Sequence, residues 1–167
     1  MILGIGVDLL HLPRLSSLIT RRGADRFARR ILTPFELEQW RKIDKDQLQR
    51  PLGEVTKGDL VPETRRTTYL AVRWAAKEAA YKALHSSRRI ASWQDVQIEK
   101  LEGCRPSLKL LNRKSGSRPS EETGSSPAGP ETSSTSPSST IPRLHLSLSH
   151  DGEYVVAYVV AEEGSSG

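Results

Sequence analysis

Five residues combine a type suited to chemistry with a position at an element end or on a helix that could use it: Asp8, Glu78, Lys82, His150 and Asp151. Asp8 ends an apolar run, Glu78 and Lys82 lie four apart in an alanine-rich stretch, and His150-Asp151 immediately precedes Gly152. The plainest reading of Glu78 and Lys82 is a helix-stabilising surface pair, because residues four apart meet on a helix face. His150-Asp151 is open to a similar reading as turn chemistry, since Asp favours such positions. Considered together, the five suggest more. Two hard carboxylates without a Cys or His cluster suit Mg²⁺, which takes one or two protein carboxylates and completes its shell with phosphate oxygens and water. Lys82 and the many arginines suit phosphate binding. The combination points to chemistry at a phosphate.

These residues need a framework to hold them. Residues 68–85 contain almost only good helix formers and no Gly or Pro, which predicts a buried central helix. At about 100° per residue, Leu70, Trp74, Tyr81 and Leu84 share one broad face, and Ala76, Ala79 and Ala83 lie opposite. Residues 1–10 alternate with period two, predicting a strand with Ile2, Gly4, Gly6 and Asp8 on one face and Leu3, Ile5 and Val7 on the other. Gly4-x-Gly6 does not complete a dinucleotide-binding fingerprint, whose third glycine would fall at Leu9. Two glycines on one strand face instead predict close packing, here against the alanine face of the central helix.

Between the strand and the central helix, Pro13 opens a predicted helix reaching about Arg30, with Gly23 as a break or kink. It carries Arg14, Arg21, Arg22, Arg26, Arg29 and Arg30 against a single acid, Asp25, beside an apolar stripe that includes Phe27. Thr33, Pro34 and Glu36 form a capping-box signature for a further helix to about Ile43. Residues 44–67 read as a long polar connection. After the central helix come a short basic loop with Arg88 and Arg89 and then two short alternating runs, residues 93–101 and 107–111, expected as an antiparallel pair. Residues 115–140 are nearly all Ser, Thr, Pro, Gly and Glu and are expected to be a disordered insertion. At the end, Leu144, Leu146 and Leu148 alternate with His145, Ser147 and Ser149, and Asp151-Gly152 signals a tight turn into residues 154–161, apolar on both faces. The fold class expected is α+β, an antiparallel sheet packed against a long central helix, in one domain spanning residues 1–167.

Composition narrows the partners. The formal net charge of +5 favours an acidic partner: nucleic acid, an anionic membrane, a phosphorylated ligand or an acidic protein. The arginine-rich helix has little aromatic interleaving for base stacking, so nucleic acid is not the expected partner. A single cysteine, Cys104, excludes an internal disulfide framework and a Cys-rich zinc site. No apolar run approaches the roughly 20 residues that span a bilayer, so no membrane association is expected. No cleavable signal is recognised, and the expectation is a soluble intracellular protein. Residues 12–32 are Arg-rich and amphipathic like a transit peptide, yet cleavage there would remove Asp8. Mitochondrial import without processing is the expectation and the cytoplasm its alternative.

Three segments, in order, carry a family resemblance: Gly4-Ile-Gly-Val-Asp8-Leu, Trp74-Ala-Ala-Lys77-Glu78-Ala-Ala-Tyr-Lys82-Ala-Leu, and Leu146-Ser-Leu-Ser-His150-Asp-Gly-Glu-Tyr154. They resemble the motifs of the holo-acyl-carrier-protein synthases, the small class of 4'-phosphopantetheinyl transferases, and residues 27–37 resemble a further segment of that family. The resemblance implies Mg²⁺-dependent transfer of 4'-phosphopantetheine from coenzyme A to a serine of apo acyl carrier protein, with adenosine 3',5'-bisphosphate released. It implies that Asp8 and Glu78 hold the metal, and that Lys82 meets the phosphate charge as the bridging bond breaks. Ser147, Ser149 and His150 would contact coenzyme A, and Asp151, or Glu78 through water, would take the serine proton. The acidic carrier would dock on Arg14, Arg21, Arg22, Arg26 and Phe27, and the assembly would be a homotrimer with active sites between subunits. The family's Gly-rich turn after the central helix is replaced here by His85-Ser-Ser-Arg88-Arg89, where Arg88 or Arg89 would substitute by side chain for backbone cradling of a phosphate. The alternative from another class is a non-catalytic basic module that binds an acidic protein or nucleic acid through the arginine helix, which leaves Asp8 and Glu78 without a role.

Overall fold

The computed structural model describes residues 1–48, 62–84, 92–99, 105–111 and 141–164. Its elements run β1 (Ile2–His11), α1 (Leu12–Arg22), α2 (Ala24–Ile31), α3 (Pro34–Leu48), α4 (Pro62–Leu84), a single 3₁₀ turn (Trp93–Asp95), β2 (Val96–Glu99), β3 (Ser107–Leu110), β4 (Arg143–Asp151) and β5 (Tyr154–Glu162). β1, β5 and β4 form an antiparallel sheet in that order, and β2 pairs with β3 in a second, two-stranded sheet. α4 lies across the three-stranded sheet. The architecture is the expected α+β arrangement.

The contact between α4 and β1 is made by backbone. A Cβ built on Gly6 would run into the Ala79 carbonyl and lie 2.8 Å from the Ala83 nitrogen, and one on Gly4 would meet the Ala83 carbonyl. No side chain larger than hydrogen fits at either position, which is why glycine stands at both. On the same sheet face Val155, Ala157, Val159 and Ala161 of β5 are buried under the helix. The alternation expected of residues 1–10 holds from Gly4 onward, with Asp8 on the helix-facing side, but a register irregularity between Ile2 and Gly4 breaks it at the start: Ile2 is exposed and Leu3 packs against the core.

Among the described residues β5 is covered on one face only. Tyr154 and Tyr158 are exposed on the outer face, beside Ile5, Val7 and Leu9 of β1. The strand is thus apolar on both faces, as the sequence implied, while only one of them is packed by the described residues.

The helical segments run longer than the periodicity suggested. α3 continues to Leu48 and α4 begins at Pro62, so both reach into the stretch expected as a connection. Pro62 at the start of α4 supplies the first-turn signal, but the polar residues after it carry no apolar period to reveal a helix. Gly23, with φ of 84°, separates α1 from α2 as expected. The Thr33–Glu36 capping box forms: Glu36 N donates to Thr33 Oγ1 at 3.2 Å, and Thr33 N donates to Glu36 Oε2 at 2.8 Å. Residues 115–140 and Arg88 lie outside the described residues.

Glu36 does more than cap. Its carboxylate is buried and also receives Ile98 N at 2.9 Å and Lys77 Nζ at 2.6 Å, while Lys77 Nζ donates to the Ile31 carbonyl at 2.8 Å. One network therefore joins the end of α2, the start of α3, the middle of α4 and strand β2. Burial lowers the Lys77 ammonium from its ordinary value, and the Glu36 charge opposes that shift.

Candidate active site

Residues 14, 17, 18, 21 and 22 follow the i, i+3, i+4, i+7, i+8 pattern of one helix face. On α1 that face carries Arg14, Ser17, Leu18, Arg21 and Arg22, and it forms one wall of a cleft of about 730 Å³. Asp8 and Leu10 from the end of β1 and Trp74 and Glu78 from α4 form the other. β1 and α4 are clamped together by the Gly6–Ala79 contact, so the acids of two distant segments converge on one opening.

Each acid is held differently. Asp8 Oδ1 accepts from Lys82 Nζ at 2.9 Å, and the same ammonium donates to the Val7 carbonyl at 2.8 Å. Glu78 Oε1 accepts from the Trp74 indole nitrogen at 3.3 Å. Trp74 is itself wedged between Phe27, at 4.9 Å between ring centroids, and Trp93, edge-on at 6.2 Å. Burial raises the Glu78 carboxyl above the usual carboxylate range; the Trp74 bond opposes this, the Asp8 charge adds to it and Lys82 opposes it. Two carboxylates are thus close enough to feel each other, with one short of compensating charge.

Lys82 is the bridge to Asp8 rather than the i, i+4 partner of Glu78 that spacing suggested. A lysine on the helix flank nearest β1 finds a carboxylate and a carbonyl there together, whereas Glu78 lies one turn earlier beside Trp74. Tyr81, expected on the broad buried face, is 45% exposed. Leu70 and Leu84 on that face are buried, but the aromatic cover formed by Phe27 and Trp93 sits over Trp74.

The expected docking set divides into three. Arg14, Arg21 and Arg22 are exposed and line the cleft itself, and Arg26 is exposed on α2 outside the cleft lining. Phe27 is a correction: at 6% exposure it is a core residue under Trp74, because α2 turns Phe27, Ala28 and Ile31 inward and its arginines outward.

The third motif stays apart from the first two. Ser147 pairs with Tyr158, Ser149 with Val156, His150 with Val155 and Asp151 with Tyr154, so β5 separates all four from β1. Two strand spacings amount to about 10 Å. Within one chain, Asp8, Glu78 and Lys82 are brought together, and Ser147, Ser149, His150 and Asp151 are not brought to them. The sequence reading missed His11, which ends β1 and lines the cleft. Its signal was position: a histidine three residues after Asp8, at a strand-to-helix junction marked by Pro13.

The donor set can be tested against Mg²⁺. Among the described residues there is no group of three or more His, Cys, Asp or Glu side chains able to hold a metal. Mg²⁺ does not require one, and Asp8 with the charge-deficient Glu78 in an open cleft fits its habit of taking two carboxylates with phosphate and water. No helix among the described residues is long and apolar enough to cross a membrane.

Residues 4–159 match the 4'-phosphopantetheinyl transferase superfamily. A holo-[acyl-carrier-protein] synthase of Geobacillus kaustophilus is 35% identical over 163 residues, covering 97% of this chain and 90% of that protein. The mitochondrial 4'-phosphopantetheinyl transferase B of Aspergillus fumigatus is 36% identical over 163 residues, covering 95% of this chain and 93% of that one. Among solved structures, a holo-(acyl-carrier-protein) synthase of Bacillus anthracis in complex with CoA (3',5'-ADP) is 27% identical, with a TM-score of 0.59 and 99% of each chain covered.

Proposed function

The chain belongs to the 4'-phosphopantetheinyl transferase superfamily, and from that premise we infer that its reaction is that of a holo-acyl-carrier-protein synthase. It transfers the 4'-phosphopantetheine arm of coenzyme A to a serine of apo acyl carrier protein and releases adenosine 3',5'-bisphosphate. The observation that carries this reading is the cleft: Asp8 and Glu78 on one wall, Arg14, Arg21 and Arg22 on the other.

The roles follow from charge and position. Asp8 and Glu78 would hold Mg²⁺, which when bound supplies charge neutralisation on phosphate oxygens. Lys82, half exposed while it touches Asp8, is placed to orient that carboxylate and to meet phosphate charge. The α1 arginines attract the acidic carrier and, because they line the cleft, bring it to the reacting end of coenzyme A. Phosphoryl-type transfer asks mainly for such positioning and electrostatics.

Ser147, Ser149, His150 and Asp151 enter through assembly. We assign them to the coenzyme A site of a neighbouring subunit in a homotrimer. Two features support this: their separation from Asp8 by a full strand, and the apolar outer face of β1 and β5, where Leu9 is 65% and Tyr158 44% exposed. An apolar sheet face of this kind is covered in stable proteins. A mitochondrial location is the compartment we propose, on the likeness to the fungal relative.

The test is the intact mass of purified apo acyl carrier protein after incubation with this protein, coenzyme A and Mg²⁺, with a chelator control. A metal-dependent gain of one phosphopantetheine arm is the expected result. No gain on any of several apo carriers by the folded protein would overturn the reading in favour of a basic binding module.

A further inference from the structure

Glu78 sits on α4 between two residues whose spacing lets them reach its carboxylate, Trp74 one turn earlier and Lys82 one turn later. Charge alone favours the lysine. Yet Lys82 Nζ goes to Asp8 Oδ1 at 2.9 Å and to the Val7 carbonyl at 2.8 Å, while Glu78 Oε1 takes the Trp74 indole N–H at 3.3 Å. The ring that carries this neutral donor is held in place. Phe27 lies against it at 4.9 Å with the ring planes inclined at 43°, and Trp93 meets it edge-on at 6.2 Å. Those two are braced in turn: Phe27 is buried on α2, and Gln94, next to Trp93, donates from Nε2 to the Arg29 carbonyl of the same helix at 2.8 Å.

A phenyl ring would fill the same aromatic slot but would bring no donor to Glu78. The two carboxylates of the cleft thus have separate donors, Trp74 for Glu78 and Lys82 for Asp8. We propose that Trp74 is a positioning residue for the cation site: its N–H holds Oε1 of Glu78 away from Lys82, which leaves Oε2 for Mg²⁺ and keeps Lys82 on Asp8. The proposal rests on the transferase reading above and on the metal assignment made with it.

Without that donor Glu78 can swing toward Lys82, and the i, i+4 pair that spacing suggests would form in place of both the Asp8 contact and cation binding. Donors that hold a ligating carboxylate from behind govern metal affinity in this way. Trp74 lines the cleft together with Asp8 and Glu78, so the effect falls on the site itself. Trp93 packs on the same indole and is not the donor, which makes it the control for packing.

The experiment is calorimetric titration of Mg²⁺, with coenzyme A present, into wild type, Trp74→Phe and Trp93→Phe, and into Lys82→Met with and without Trp74→Phe. Trp74→Phe, checked for fold by circular dichroism, binds Mg²⁺ about tenfold more weakly or worse. In the transfer assay its apparent KM for Mg²⁺ rises while the KM for the carrier holds. Trp74→Tyr, a second ring without the N–H, repeats the loss. Trp93→Phe lowers Tm and leaves Mg²⁺ affinity within about twofold of wild type. In Lys82→Met the added Trp74→Phe change weakens Mg²⁺ less than it does in wild type, because no lysine competes for Glu78. Unchanged Mg²⁺ affinity in both Trp74 variants, an equal loss in Trp93→Phe, or the same loss with and without Lys82 overturns the positioning role and leaves the transferase reading intact. A wild type that transfers yet binds no Mg²⁺ overturns the metal assignment and this proposal with it, and a wild type that transfers nothing overturns the transferase reading as well.

Discussion

Lys77 Nζ and Glu36 Oε2 stand 2.6 Å apart with both side chains shut off from solvent, and the pair joins α4 to the start of α3. Removing one partner strands the other charge in the core. Lys77→Met is therefore expected to destabilise the protein by about 3–5 kcal/mol. Glu36→Gln, which keeps the volume but removes the negative charge, should cost a similar amount. The double replacement should recover part of the loss. Urea unfolding of the three variants checks this, and strict additivity would show the pair to be energetically independent.

Glu78 opposes the stability of the empty site. Its carboxyl is raised in the folded state, chiefly by burial, so the folded chain holds that proton more tightly than the unfolded chain does. Its contribution is fully present below the ordinary carboxylate value and is lost as pH rises through the raised one. Glu78→Gln should flatten that decline, raise Tm at neutral pH and abolish transfer. Thermal melts across pH, run without Mg²⁺, test the first two; a lower Tm in the variant contradicts the assignment of strain to this carboxylate.

At the Mg²⁺ site proposed above, the ion and that proton would compete for Glu78. Affinity for the ion is expected to rise with pH up to the raised value and then level off, with proton release on binding. Calorimetric titration in two buffers of different ionisation enthalpy reads the released protons directly. Asp8→Asn should remove the binding heat altogether.

The α1 arginines should matter for encounter more than for chemistry. Arg21→Glu is expected to lower kcat/KM for the carrier on the order of tenfold or more and to flatten its dependence on ionic strength. Arg26→Glu, outside the cleft lining, should have the smaller effect. Stopped-flow binding at two salt concentrations distinguishes them.

Tyr158→Asp places a charge in the middle of the exposed face of β5. If that face is where subunits meet, sedimentation should show monomer and transfer should fail, because Ser147 and His150 lose the neighbour whose Asp8 and Glu78 they serve. A wild-type protein that sediments as a monomer while active would remove the trimer.

Much of this was legible in the residues themselves. Gly4 and Gly6 opposite Ala79 and Ala83, the Thr33–Glu36 cap, the break at Gly23 and the Val96–Glu99 pairing with Ser107–Leu110 all follow from short-range pattern. What escaped was long-range. The lysine in Ala75-Ala-Lys77 reads as an ordinary helix former, and only the fold brings a buried carboxylate 41 residues away within reach of it. Phe27 belonged to an arginine-rich segment, and its inward face depended on where α2 restarted after Gly23. Lys82 chose Asp8 over Glu78 because a strand, invisible to helix periodicity, ran alongside.

The Gly6–Ala79 contact also bears on the gap that the two acids span. Because β1 meets α4 through main-chain atoms, the spacing between Asp8 and Glu78 is set by the peptide units themselves. Gly4 and Gly6 thus hold the gauge of the gap between the two acids, since any side chain at either position would push β1 away from α4.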